Sequence, residues 1–299
     1  MPMLWDPIAR TDVAQYLAEQ AVAALIDEAT LAPKPGLVDF RSSGAHTDLS
    51  WPLMCASARA LQPAFATMAL AALDSDDLPV LRRRIGCIGR EGERAMLHAT
   101  RGVNTHRGAI WAIGLLVTAA ARSFDDAHQK VAVLAGALAR IEDPGAPLTT
   151  GHKGERARLI YGVGGAKGQA RAGFPHVVSV ALPTLRRSRA AGDMENAARL
   201  NALLSVMATL DDTCVLARGG TAALACVQDG AKAVLAAGGA GTLPGRTALR
   251  ELEMALLERN VSPGGAADLL AAALFLDRLG NEHTVDATAT STGEINWNV

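Results

Sequence analysis

Aromatic residues are scarce in this chain: five Phe, four Trp and two Tyr among 299 residues. With few alternating β-branched segments either, the usual material of a sheet is missing. Cysteine is also rare. The four present, Cys55, Cys87, Cys214 and Cys226, show no Cys-x-x-Cys spacing, which argues against a zinc knuckle and against a secreted disulfide framework. They are expected to be reduced core residues. The most apolar stretch, Ala109 to Ala121, is closed off by Arg107 and Arg122 and falls short of the ~20 residues of a bilayer span, so it reads as a buried helix. A dominant charge is absent as well. The 29 Lys and Arg against 30 Asp and Glu give no steering field for nucleic acid or an anionic membrane, so any anion must be held by a local cluster. Met1 to Arg10 shows no secretory pattern, and a cytoplasmic location is expected.

What the chain does have is alanine, leucine and 49% apolar residues, enough for a substantial core. The expected fold is all-α, a single globular multi-helix bundle over residues 1–280 followed by a polar tail over 281–299. Helices are expected around Asp6 to Leu31, Pro52 to Leu73, Leu78 to Ala99, Thr105 to Ala121, Asp125 to Ile141, Gly154 to Tyr161, Pro175 to Ala190, Asp193 to Leu216, Thr221 to Ala237, Arg246 to Arg259 and Ala266 to Leu279. Pro33 and Pro35 stop the first helix, and Ser262-Pro263 is an N-cap followed by a first-turn proline.

Polar residues break the apolar pattern at a few places. In the first helix Leu17, Ala21 and Leu25 share a face, and the next step of that stripe is Glu28. A carboxylate buried alone is costly, and the turn from Ala32 to Asp39 supplies Lys34 close by. Glu28, Lys34 and Asp39 read either as an internal salt bridge tying the loop to the helix or as the wall of a site. In Ser43 to Leu49, His46 and Asp48 stand two residues apart before a helix; Asp48 serves equally well as a cap, and His46 as a surface or site residue. Gly102 to Gly108 opens directly into an apolar helix, so Asn104 or Thr105 is a plausible N-cap. Free amides there, with His106 and Arg107 beside them, suit a phosphate, and an ordinary cap with solvated basic residues accounts for the same pattern.

From Gly151 to Pro175 glycines crowd between cations. Lys167 and Arg171, four residues apart, suggest a flexible phosphate clamp, although neither the P-loop order nor a dinucleotide fingerprint is present. In the helix from Asp193, the stripe Leu200, Leu204, Met207 leads to Asp211, which is therefore expected to face the interior. Asp211 and Asp212, with Arg218-Gly219-Gly220 following, suit either a magnesium ion, which chooses carboxylate oxygens, or a buried ion pair.

Taken together these segments resemble the triphosphoribosyl-dephospho-CoA synthase family, which serves citrate lyase and malonate decarboxylase. The resemblance spans about Glu28 to Leu279. It rests on Lys34 to Asp39, Gly44 to Asp48, Gly102 to Gly108, Gly173-Phe174-Pro175, Asp211-Asp212-Thr213, Arg218-Gly219-Gly220 and Ser262 to Leu270. Asp27-Glu28-Ala29 and Ile88 to Glu93 look closer to the malonate decarboxylase branch. The resemblance implies an all-helical enzyme that transfers the triphosphoribosyl group of ATP to 3'-dephospho-CoA and releases adenine. Its product would pass to a separate carrier-protein transferase. Glu28, Asp39, His46 and His106 are then expected to be catalytic, and Lys34, Asn104, Arg107, Lys167, Arg171 and Arg218 to bind substrate phosphates. Asp211 and Asp212 would hold Mg2+. A homodimer is possible, with no nucleic-acid or membrane partner. Two other readings suit the same residues: a magnesium-dependent hydrolase of N-glycosidic bonds in ADP-ribose-like substrates, and a non-catalytic adaptor.

Overall fold

The computed structural model describes residues 7–123, 128–147, 149 and 151–289, and among them there is no strand. In chain order the helices are α1 (Pro7–Thr30), α2 (Trp51–Ala60), α3 (Gln62–Leu73), α4 (Leu78–Ala99), α5 (Arg107–Arg122), α6 (His128–Arg140), α7 (Lys153–Tyr161), α8 (Gly165–Arg171), α9 (Leu182–Ala190), α10 (Glu195–Met207), α11 (Thr213–Ala236), α12 (Leu243–Glu258) and α13 (Gly264–Ala289). A π-helical turn, His176–Ala181, runs directly into α9. The fold is all-α, as the composition requires.

Helices α1, α3, α5 and α13 pack on one another at the centre. Every residue from Leu269 to Leu276 is buried, as is nearly all of α5. Helices apolar on every side must be enclosed by others, and α4, α6 and α10 cover this pair while α12 and α7 pack on α11. Small residues permit the close approaches: a Cβ added to Gly230 of α11 would lie 2.4 Å from Leu252 of α12. No described helix is long and apolar enough to cross a membrane.

The expected boundaries need correction at several points. The stretch from Pro52 to Leu73 is two helices, because Pro63 at the start of α3 lacks the N–H that would continue the ladder, and Leu61 closes one helix and opens the next. The helix expected from Asp193 to Leu216 ends at Met207, and a new one begins at Thr213. Leu200, Leu204 and Met207 are buried as expected, but the chain has left the helix by Asp211, which is exposed rather than inward-facing. Helix α11 then runs through the expected break, kinked at Gly220, where φ is 66°. Its left-handed value suits a residue without a Cβ. The backbone of α13 continues as helix to Ala289, into the segment expected to be tail, and 290–299 lie outside the described residues. The expected helix start at Asp125 also lies outside them.

Candidate active site

The loop after α1 returns its first residues to that helix. Lys34 is buried and its ammonium bonds the Glu28 carboxylate and, at 2.6 Å, the Glu28 carbonyl. Asp39 organises the rest of the loop. Its carboxylate accepts the amides of Lys34 at 3.0 Å, Arg41 at 2.7 Å and Ser42 at 3.0 Å, and the Arg41 guanidinium at 2.9 Å. Arg41 goes on to Glu253 of α12 at 2.7 Å. With these donors around it and 1% exposure, Asp39 holds the shape of the loop that presents Lys34.

Three helix N-termini meet beside this pair. Asp212 caps α11 through the Cys214 amide at 2.8 Å and reaches the Ala266 amide at the start of α13 at 3.0 Å. Burial raises its pKa, against the backbone amides that favour the charge. Asp268, one turn into α13, accepts the Ala109 amide at the start of α5. Burial first, then the neighbouring Glu28 and Asp212, push the Asp268 carboxyl well above the usual carboxylate range. The Cys214 thiol rises for the same reasons, burial followed by Asp212 and Asp268. Asp268 is half-buried and Cys214 is exposed; of the four cysteines only Cys55 is the buried core residue expected.

His106 closes this group of residues on the α5 side. It is 2% exposed, its Nδ1 lies 2.8 Å from Ser57 Oγ, and its Nε2 has no protein partner. Burial and the nearby Lys34 lower its pKa to about 4, so the imidazole is neutral. The helix starts later than expected, with His106 rather than Asn104 or Thr105 in the N-cap position; Asn104 accepts the Arg107 amide at 3.2 Å, and the Arg107 guanidinium pairs with Glu93 at 2.6 Å.

Next to this group, beyond Cys214 and Ser262, lies a cleft of about 440 Å³, lined by His46, Asp48, Lys153, Arg218 and Arg259 among others. Arg218, one turn beyond Cys214 on α11, donates to the carbonyls of Ala45 at 3.0 Å and Asn260 at 3.3 Å and to His46 Nδ1 at 3.2 Å. His46 also lies 2.9 Å from the hydroxyl of Ser262, which precedes α13. Burial and Arg218 lower the His46 pKa. Three cations against one carboxylate make the cleft an anion-binding surface.

The structure thus brings Glu28, Lys34, His106 and Asp212 together in one group, and His46 and Arg218 in the cleft. Lys167 and Arg171 are not among the cleft-lining residues. Lys167 is exposed, and Arg171 bonds the Ala139 carbonyl of α6 at 3.4 Å. The expected flexible clamp is the short helix α8. Asp211 and Asp212 point to different surroundings, and both oxygens of Asp212 serve backbone amides, so the pair does not fit a magnesium site. No group of three His, Cys, Asp or Glu suited to a metal occurs among the described residues. Sequence reasoning gave no role to Lys153, Arg259 or Asp268. Lys153 carried a signal as a cation of the glycine-rich segment, and Asp268 as the one charge in the stretch from Ala266 to Leu276.

The family model CitG, described as ATP:dephospho-CoA triphosphoribosyl transferase, matches residues 14–286. A probable 2-(5''-triphosphoribosyl)-3'-dephosphocoenzyme-A synthase of Azotobacter vinelandii is 60% identical over 274 residues, 91% of this chain and 94% of the relative. Proteins of the same description from Pseudomonas putida and Pseudomonas aeruginosa are 56% and 57% identical; they align with 91% and 90% of this chain and with 97% and 92% of their own lengths. No solved structure matches. With most of its length matched, the chain belongs to the ATP:dephospho-CoA triphosphoribosyl transferase family and is an enzyme of that kind.

Proposed function

We propose that the cleft binds the triphosphate of ATP and that the ionisable residues next to it carry the transfer of the triphosphoribosyl group to 3'-dephospho-CoA. The observation that supports this most directly is a cationic cleft next to the carboxyls of Asp212 and Asp268, where three helix N-termini converge. The reaction replaces adenine at C1' of the ribose by a hydroxyl oxygen, through a state resembling the oxocarbenium ion of glycoside cleavage. Such a state needs negative charge near C1', a proton for the departing base and cations for the phosphates. Lys153, Arg218 and Arg259 supply the cations, with His46 shaping the cleft as a neutral acceptor. Glu28 supplies negative charge, held in place by Lys34. His106, neutral and with Nε2 unpartnered, suits hydrogen bonding to substrate.

Mg2+ enters this scheme as the counterion of the triphosphate, without protein ligands from the Asp211-Asp212 pair. The product serves an acyl carrier subunit of malonate decarboxylase, a choice supported by Asp27-Glu28-Ala29 and Ile88 to Glu93, and a separate transferase attaches it. The enzyme works in the cytoplasm, where free cysteines such as Cys55, Cys87, Cys214 and Cys226 persist. The test is incubation of purified protein with Mg-ATP and dephospho-CoA, following adenine and product mass. Adenine together with a triphosphoribosyl adduct, only when both substrates are present, supports the transfer. Adenine without the adduct makes the protein a hydrolase, and neither product makes it an adaptor.

A further inference from the structure

Most ionisable groups next to the cleft are already committed to protein partners. Glu28 is paired with Lys34, Asp39 is saturated by loop donors, and Asp212 gives one oxygen to each of two helix starts. Asp268 differs. Its carboxyl accepts one backbone amide, from Ala109, and the half-buried residue neighbours Cys214, which in turn neighbours Arg218 of the cleft. Room for it is made by Gly108: a Cβ there would stand 2.0 Å from Asp268 Oδ2. The groups facing it are Glu28 from α1 and Asp212 and Cys214 from α11, with the Ala109 amide from α5. Those acidic neighbours and its burial keep it protonated at a pH where an ordinary carboxyl is ionised.

We propose that Asp268 is the general acid that protonates adenine as it leaves, an assignment that rests on the transfer reaction above. As the C1'–N bond breaks, its electron pair goes to the base, which takes the Asp268 proton. The attacking 2'-hydroxyl of dephospho-CoA then forms the C1'–O bond, and its proton returns to the Asp268 carboxylate. The cycle needs no other acid, base or oxidant. Because the acid form is the active one, turnover falls as pH rises through the Asp268 pKa.

The experiment compares ATP with 7-methyl-ATP, whose base carries a fixed positive charge and leaves neutral without a proton. In Asp268→Asn, which keeps an acceptor for the Ala109 amide, turnover with ATP is expected to fall about 100-fold or more. With 7-methyl-ATP the loss is expected to stay within about 10-fold, and the alkaline fall in kcat seen with ATP in the wild type should vanish. Equal losses with both donors would overturn the assignment, as would ATP turnover within about 3-fold of wild type. Should Asp268→Asn not fold, Gly108→Ala carries the test, because its methyl group displaces the same carboxyl. It too should impair ATP far more than 7-methyl-ATP, and equal impairment refutes the proposal. The wild-type control separates the acid assignment from the transfer reaction: failure to form the adduct from ATP removes the transfer reading itself, whatever the variants do.

Discussion

Replacement of Lys34 by methionine would remove the ammonium that faces the Glu28 carboxylate and leave that charge in a nearly dry place. The two side chains are 2% and 5% exposed. Breaking a buried pair from one side costs about 3–5 kcal/mol, because the remaining charge is uncompensated. For a chain of this size that amounts to a fall in melting temperature on the order of 10 °C. Glu28→Gln strands the opposite charge and should cost a similar amount. The double variant Glu28→Gln with Lys34→Met has no buried charge at this position, so it should recover a good part of the loss. The cycle also cancels what Lys34→Met loses at the Glu28 carbonyl. The assay is urea and thermal unfolding of all four proteins at pH 7 and one protein concentration. A loss below about 1 kcal/mol in Lys34→Met, or a double variant no more stable than the weaker single one, would refute the argument.

His106 ties stability to pH. Its pKa in the fold is about 4, below the ordinary value of 6.5, so the unfolded chain binds the proton first. Its contribution is complete above pH 6.5 and is lost as pH falls towards 4, a total of about 3 kcal/mol at 1.36 kcal/mol per pKa unit. His106→Gln should flatten this limb in urea unfolding at pH 7, 5.5 and 4; parallel curves for the two proteins would count against it. Arg218→Met should raise the KM for ATP by about 10- to 100-fold, the worth of a charge-assisted hydrogen bond, and an unchanged KM would take the triphosphate out of this cleft. Asp39→Asn should lower stability by about 1–3 kcal/mol, since one side of the amide cannot accept the loop's N–H groups. Turnover should fall with it as the loop carrying Lys34 loosens. A large loss of turnover with an unchanged melting temperature would instead make Asp39 catalytic.

Much of the architecture was legible from local pattern. Scarce aromatics and helical periodicity gave the all-α class, and the stripe through Leu17, Ala21 and Leu25 led to Glu28, whose burial requires a cation such as Lys34. Pro63 carried a local signal for the break before α3. The end of α10 did not, because the period of Leu200, Leu204 and Met207 continues smoothly to Asp211 while the chain itself turns away. Whether an apolar stripe persists is decided by what packs on it.

The sequence by itself determined which groups must be paired if buried, and its ordered motifs indicated the family. Only the tertiary structure decided which carboxyl remained open. Asp39, Asp212 and Asp268 are chemically equivalent in the sequence. Three-dimensional packing gives the first to a loop, the second to two helix starts, and leaves the third against Gly108 and near Glu28. That distinction depends on the convergence of α5, α11 and α13 from distant parts of the chain, and no local periodicity encodes such a meeting.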